Sequence, residues 1–275
     1  MKRRMRFPAL LIALALLFSP CASLGEAGAE HLTVLLIGVD SAQDQSPEEA
    51  GSADALMIAS LDLKTGAARL LSIQKEIEIS LPQGRGPLSS ANRIGGPKLT
   101  LQAVNELLQL DIPYFVQVDM AGFQKIFQAV GGLELTIDEK ELSTLMPDGV
   151  TRAFSQAGLQ AVTPEQAMAY LNDPAAKKDL SRSTRLLNAL GALMKKAMNL
   201  DGGKLLDVVS ELIVYVQSNM TAGDMMQAVL AVAGVKLSDL SKMRFPKASS
   251  GENGAAADLD AQINAAREFL LGAGQ

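Results

Sequence analysis

Leu32 to Val39 (LTVLLIGV) is a near-continuous apolar run that stops at Asp40 and gives way to a polar, Pro-containing stretch from Ser41 to Gly51. A run of that length bounded by polar residues predicts a buried strand with a loop at its carboxyl end. Leu56 to Leu63 and Ala68 to Ile73 predict two more strands, and the turn-like link Asp62-Leu63-Lys64-Thr65-Gly66 pairs them as a hairpin. Ile77 to Leu81 is read as an extension of it. Residues 82–97 are rich in Pro, Gly and Ser and read as a long surface loop.

From Lys98 the period changes. Leu99, Leu101, Val104, Leu107 and Leu108 have helical spacing, Tyr114 to Val118 reads as a strand, and Met120 to Val130 as a helix stopped by Gly131-Gly132. Leu133 to Ile137 reads as a strand, and strand, helix and strand in that order suggest a crossover unit in an α/β layer. Thr163-Pro164-Glu165-Gln166 is a helix start with a cap, a proline at the first helical position and a capping box. That helix runs to about Leu171. A longer one follows from about Ser181 to Asn199, with Leu186, Leu187, Leu190, Leu193, Met194 and Met198 on its apolar face. Helices are expected at 203–217, at 221–232 with Thr221 as cap, and at 258–271, with a loop at 247–257. The expected fold is α/β of the α+β kind: a central mixed sheet flanked by helices, with a helical C-terminal part, in one domain over 31–275.

Composition narrows the chemistry. The 275 residues are 48% hydrophobic and 20% charged, as in a globular chain, with no Trp. Cys21 is the only cysteine and His31 the only histidine, both near the N-terminus. A catalytic Ser-His-Asp triad and a Cys- or His-based metal site are therefore not expected, and any metal would be a hard cation on oxygen ligands. Lys2, Arg3, Arg4 and Arg6 precede an apolar run from Phe7 to Phe18, and Ala27-Gly28-Ala29 offers a small-x-small cleavage site. This reads as an export signal over residues 1–29. A retained anchor is the alternative, although the run is short of the roughly 20 residues a span needs. Cys21 raises a lipoprotein reading, which Phe18 and Pro20 fit poorly. The chain carries −5, and four basic residues against Glu26 in the leader leave −8 on the remainder. That balance argues against nucleic acid as a partner.

The order of segments resembles the LytR-CpsA-Psr family. LLIGVD closes at Asp40, SADALMIASL carries Asp54, a Lys-Thr-Gly hairpin follows, and SIQKE holds Lys75 and Glu76. Gly95-Gly96-Pro97 opens a helix. IPYFVQVDMAGFQKIFQAVGGLELTI is the most specific block, followed by TPEQAMAYL and by DLSRSTR with Asp179, Arg182 and Arg185. The resemblance covers roughly residues 32–200. It implies an extracytoplasmic protein, secreted or associated with the membrane surface at the cell envelope. Its partners would be a polyprenyl pyrophosphate-linked glycopolymer and peptidoglycan, with the polymer passed to a sugar hydroxyl. By resemblance, Asp40 and Asp54 would hold Mg²⁺. Asp54, Lys75 and Arg182 would be catalytic, and Lys75, Glu76, Asp179, Arg182 and Arg185 would bind the pyrophosphate. The family is also described as a transcriptional attenuator, and an exported domain without a DNA-binding motif fits that only indirectly.

The departures are specific. Ser52, Asn172 and Pro174 stand where the family has arginines, Lys75 replaces another, Glu76 an aspartate, Ser89 an asparagine and Leu186 a glutamine. Lysine keeps the charge and loses the planar two-pronged grip. Arg93, Lys177 and Lys178 are the nearest cations in sequence that could compensate. Read without the family, Asp40 is a loop cap, Asp54 a solvated strand start, and Arg182 and Arg185 an ordinary helix start. Three functions therefore stand side by side: a phosphotransferase, a module that binds the lipid or wall polymer without transfer, and an interaction scaffold.

Overall fold

The computed structural model describes residues 31–39, 51–139, 142, 154, 156–172, 179–197, 199–200, 203, 212–221, 223–225, 228, 238–246 and 259–271. The described residues fall into two compact units, one formed by those of 31–120 and 216–271, the other by those of 121–215.

The first unit is built on a six-stranded sheet. Its strands are β1 (His31–Val39), β2 (Ala53–Asp62), β3 (Ala67–Ile73), β6 (Tyr114–Asp119), β9 (Val216–Ser218) and β10 (Asp239–Phe245), in the order β10-β3-β2-β1-β6-β9. β2 runs antiparallel to β1 and β3, while β6 lies parallel to β1 and β10 parallel to β3. The strands β10, β3, β1 and β6 therefore all point their carboxyl ends the same way. The apolar runs of β1 and β2 are explained by burial on both sides: from Leu56 to Leu61 every residue of β2 is buried. On one face Leu35, Ile37, Leu56, Ile58, Leu71, Ile73, Phe115 and Phe245 form a core. It is roofed by α1 (Ser90–Leu108), through Ala103, Val104 and Leu108, and by α5 (Leu259–Leu271), through Ile263, Ala266 and Leu270.

The β2–β3 turn is set by Asp62, whose Oδ1 accepts from the backbone N–H of Lys64 and of Thr65 at 2.8 and 2.9 Å. Burial pushes the Asp62 carboxyl up, and these donors with the Thr65 hydroxyl outweigh that and hold it below its usual value. Asn105 fixes the exit of α1: its side chain donates to the Ile112 carbonyl and accepts from the Ile112 N–H.

Several expectations are corrected here. Ile77 to Leu81 does not extend the β2–β3 hairpin. Its residues β4 (Glu78–Leu81) pair instead with β5 (Gly84–Pro87) in a separate two-stranded sheet. The stretch 82–97 is thus not a plain loop, since β5 lies in it and α1 already starts at Ser90. Gly95 and Gly96, the latter at φ 66°, break the helix where Pro97 begins its regular part. The C-terminal part is not purely helical either. A 3-10 turn at Ile213–Tyr215 and β9 stand where the end of a helix was expected, and β10 adds an unforeseen edge strand. The expected loop at 247–257 lies outside the described residues.

In the second unit, α2 (Met120–Val130) leads through Gly131-Gly132 into β7 (Leu133–Ile137). β7 does not enter the central sheet as a crossover would. It pairs antiparallel with β8 (Gly158–Val162). The capping box then forms as read: the Thr163 N–H donates to Gln166 Oε1 and the Gln166 N–H to Thr163 Oγ1. It opens α3 (Pro164–Asn172), and α4 (Asp179–Ala197) follows. Lys196 Nζ donates to the Gly132 carbonyl oxygen at 2.6 Å, tying α4 to the end of α2. A cation there also suits the negative end of a helix.

Candidate functional site

In open α/β sheets, ligands collect beyond the carboxyl ends of parallel strands, where loops diverge and backbone groups are released from the ladder. Four strands of the central sheet end on one side, which makes that rim the place to look. β1 ends there at Val39, which pairs with Ala53 on one side and with Asp119 on the other, after a bulge at Gly38/Val39. β2 starts there, so Asp54 is the second residue of the strand facing this rim. β3 ends there at Ile73, and Lys75 follows two residues later.

The structure brings two of the sequence-derived candidates together. Lys75 Nζ donates to Asp54 Oδ1 at 3.0 Å, and the side chains are 28% and 24% exposed. The backbone around them holds both strand ends. The Ala53 N–H donates to the Ser89 carbonyl (3.1 Å), and the Ser89 N–H donates to the Lys75 carbonyl (2.9 Å). Ser89 therefore bridges the residue before Asp54 to Lys75 itself. Asn92, fully buried, donates from Nδ2 to the Gly51 carbonyl at 2.8 Å, and Thr100 Oγ1 donates its one proton to the Gly96 carbonyl at 3.1 Å or to Asn92 Oδ1 at 3.4 Å. The first turn of α1 is thus clamped to the approach to β2, and the pair sits on a rigid base.

The other candidates fall as follows. Glu76 is exposed beside Lys75. Asp40, with Lys177 and Lys178, lies outside the described residues. Asp179 and Arg182 are on the opening turn of α4 in the second unit. Arg185, one turn on, is 2% exposed and packs within that unit. Its Nη1 donates to the Tyr170 carbonyl at 3.1 Å, and its guanidinium carbon lies 5.1 Å from the Tyr170 ring centroid. That stacking joins α3 to α4. Among the described residues no group of three Asp, Glu, His or Cys side chains could hold a metal ion, and no helix is long and apolar enough to cross a membrane.

Sequence reasoning missed two residues placed at this rim. Asn92 carried no local signal, because its partner is 41 residues away. Arg244 pairs with Ser72 near the carboxyl end of β10, and burial lowers its guanidinium pKa. It was invisible because β10 itself was not recognised.

Comparison with solved structures gives the fold independently. TagT bound to LIIa-WTA superposes with a TM-score of 0.69 at 20% identity, covering 92% of this chain and 96% of the other. TagT with bound octaprenyl pyrophosphate lipid gives a TM-score of 0.66 at 19% identity with the same coverage. In sequence, the chain is 27% identical over 177 residues to the polyisoprenyl-teichoic acid–peptidoglycan teichoic acid transferase TagT of Bacillus subtilis, covering 63% of this chain and 55% of that protein. It is 26% identical over 197 residues to the TagU of Enterococcus faecalis, covering 70% and 61%. The chain thus spans between half and three-fifths of the length of these relatives. The model of the LytR_cpsA_psr family matches residues 20–268, nearly the whole chain, and the protein belongs to that family.

Proposed function

We propose that the protein acts at the cell envelope, outside the cytoplasm, on a polyprenyl pyrophosphate-linked glycopolymer, and passes the polymer to a sugar hydroxyl of peptidoglycan. In that reaction the hydroxyl oxygen attacks the phosphorus that carries the polymer. A new phosphodiester forms, the bridging P–O bond breaks, polyprenyl monophosphate leaves, and the hydroxyl proton passes to a base. The observation that carries the reading is the Asp54–Lys75 pair at the carboxyl rim of the sheet, clamped by Ser89 and Asn92. The relatives named above support it by what they transfer and bind.

The pyrophosphate is a dense anion, and the cations proposed to meet it are Lys75 at the rim and, from the family motif alone, Arg182, with Glu76 and Asp179 as their acidic neighbours in sequence. Arg185, packed against Tyr170, acts through the placement of the helix that carries Arg182. Asp40 and Asp54 are proposed to hold Mg²⁺. Asp54 fits a hard cation: it is a partly exposed carboxylate at a strand mouth, and its Oδ2 accepts no bond from any described residue. Bound there, Mg²⁺ would neutralise charge on the phosphates. The protein's own work is positioning: a rigid rim holds the donor headgroup in line with the acceptor hydroxyl, where orientation and charge neutralisation supply most of phosphoryl-transfer catalysis.

A second reading, binding without transfer, is favoured by the departures at Ser52, Asn172 and Pro174 and by the engagement of the Lys75 ammonium with Asp54. One experiment separates the two. The full-length protein is incubated with Mg²⁺, a polyprenyl pyrophosphate-linked saccharide and peptidoglycan, and release of polyprenyl monophosphate is followed. Transfer is expected, lowered at least roughly tenfold by Asp54→Ala, since a charge-assisted contact contributes about 1.5–3 kcal/mol. Saturable lipid binding with no release would establish the second reading, and neither binding nor release would sink both.

A further inference from the structure

Lys75 already neutralises, through Oδ1, the carboxylate that a divalent cation would need at this rim. Its Nζ is 3.0 Å from Oδ1, on a pair that is only about a quarter exposed and is less screened than a surface ion pair. Neither strand end can drift, because Ser89 is hydrogen-bonded to the residue before Asp54 and to Lys75. With the backbones tied, the distance changes through side-chain rotation, and the longer, more flexible side chain is the lysine. Its ammonium is a point charge on a flexible stem and engages a single carboxylate oxygen, where a guanidinium would form a planar fork and resist displacement. A hard cation seeks the same oxygens, and two positive charges on one carboxylate at this spacing repel.

We propose that Lys75 is the resident counter-ion of Asp54 and competes with divalent cations for it, so that Lys75 sets the affinity of this site for a divalent ion. The proposal rests on the reading that Asp54 accepts a hard cation, and it concerns a feature peculiar to this chain, the lysine. It makes Lys75 a two-position group. With no divalent ion present it neutralises Asp54. With one present its ammonium swings off the carboxylate and is available to an anion.

The test uses Mn²⁺ as the probe, with electron paramagnetic resonance of the free ion as the readout, on full-length protein without lipid. Lys75→Met keeps the length and apolar stem and removes the charge. It is expected to bind Mn²⁺ at least about fivefold more tightly than the wild type, the order of effect of removing a partly shielded ion pair. Lys75→Arg should bind no more tightly than wild type, and adding Asp54→Asn to Lys75→Met should abolish the gain. A second measurement needs no variant to read the effect. With lysines reductively ¹³C-methylated, the Lys75 resonance, assigned by its loss in Lys75→Arg, should move on adding Mg²⁺. Equal Mn²⁺ affinity for wild type and Lys75→Met, or a Lys75 resonance indifferent to Mg²⁺, overturns the proposal. Because no lipid is present, that failure leaves the transfer reading to its own experiment. A chain that transfers polymer while its Mn²⁺ affinity ignores Lys75 would retain the function and lose this inference.

Discussion

Gly132 follows α2 with φ +88°, a conformation side chains rarely adopt, and a Cβ there would overlap the carbonyl oxygen of Val162. Two independent penalties thus meet at one residue: a strained backbone and a clash with main chain that cannot rotate away. Gly132→Ala should lower the stability of the protein by roughly 2–4 kcal/mol, read as a drop in the urea midpoint. A change within error would show that β8 can shift and that the close approach is not a constraint. Gly38 shows the gentler case. Its Cβ would meet the Ala55 Cβ at 3.1 Å, so two small residues face each other across β1 and β2 close to Asp54. Asp54 and Lys75 were both named as candidates from the order of segments around them, and the structure pairs them. That pairing was not legible, because no spacing in the sequence states that a residue opening β2 meets one lying beyond the end of β3.

At the level of elements, the legible ones are those whose burial leaves a pattern. β1 and β2 are buried on both faces and read as apolar runs, and the cap of α3 is spelled out by Thr163 and Gln166. β10 was missed for the opposite reason. It is an edge strand with Lys242 and Arg244 interrupting Leu240, Met243 and Phe245, the charged composition that keeps sheet edges from pairing with other chains. β5 was missed because Gly84, Gly86 and Pro87 are turn residues by composition, and only pairing with β4 makes them a strand. β7 was recognised and its partner was not. β8 carries an exposed Leu159 and lies beyond a long polar insertion, so nothing local announces the pairing. The break in α1 has a structural use. Gly95-Gly96 lets the first turn depart from the helix axis, and Asn92 anchors that turn to Gly51. Asn92→Ala should cost about 1–3 kcal/mol, since it empties a fully buried position and removes the partner of the half-buried Gly51 carbonyl. It should also raise amide hydrogen exchange at residues 51–54 above that in β3. Unchanged exchange there would mean that the α1 clamp does not hold Asp54.

At the scale of the whole molecule, the family, the superposed structures and the mixed sheet agree on the architecture. The proposed work on lipid-linked polymer further requires that residues 31–275 lie outside the cytoplasm, which the leader at 1–29 was read to ensure. An alkaline phosphatase fused after Gln275 and expressed in a bacterial host should therefore be active, and deletion of 2–18 should silence it. An inactive fusion to the intact chain would remove the envelope assignment.

The sheet is also assembled out of chain order. Its central strands come from the first 120 residues, while the edge strands β9 and β10 and the roofing helix α5 come from beyond residue 215. Until β10 and α5 have been made, β3 has an unpaired edge and Leu71 and Ile73 lack part of their cover. Loop closure over so long an interval carries an entropic cost, so the pairing of β3 with β10 is expected to come late in folding. Under the proposed export, such lateness would suit threading through a narrow translocon, because β10 and α5 close the sheet only after the central strands have passed.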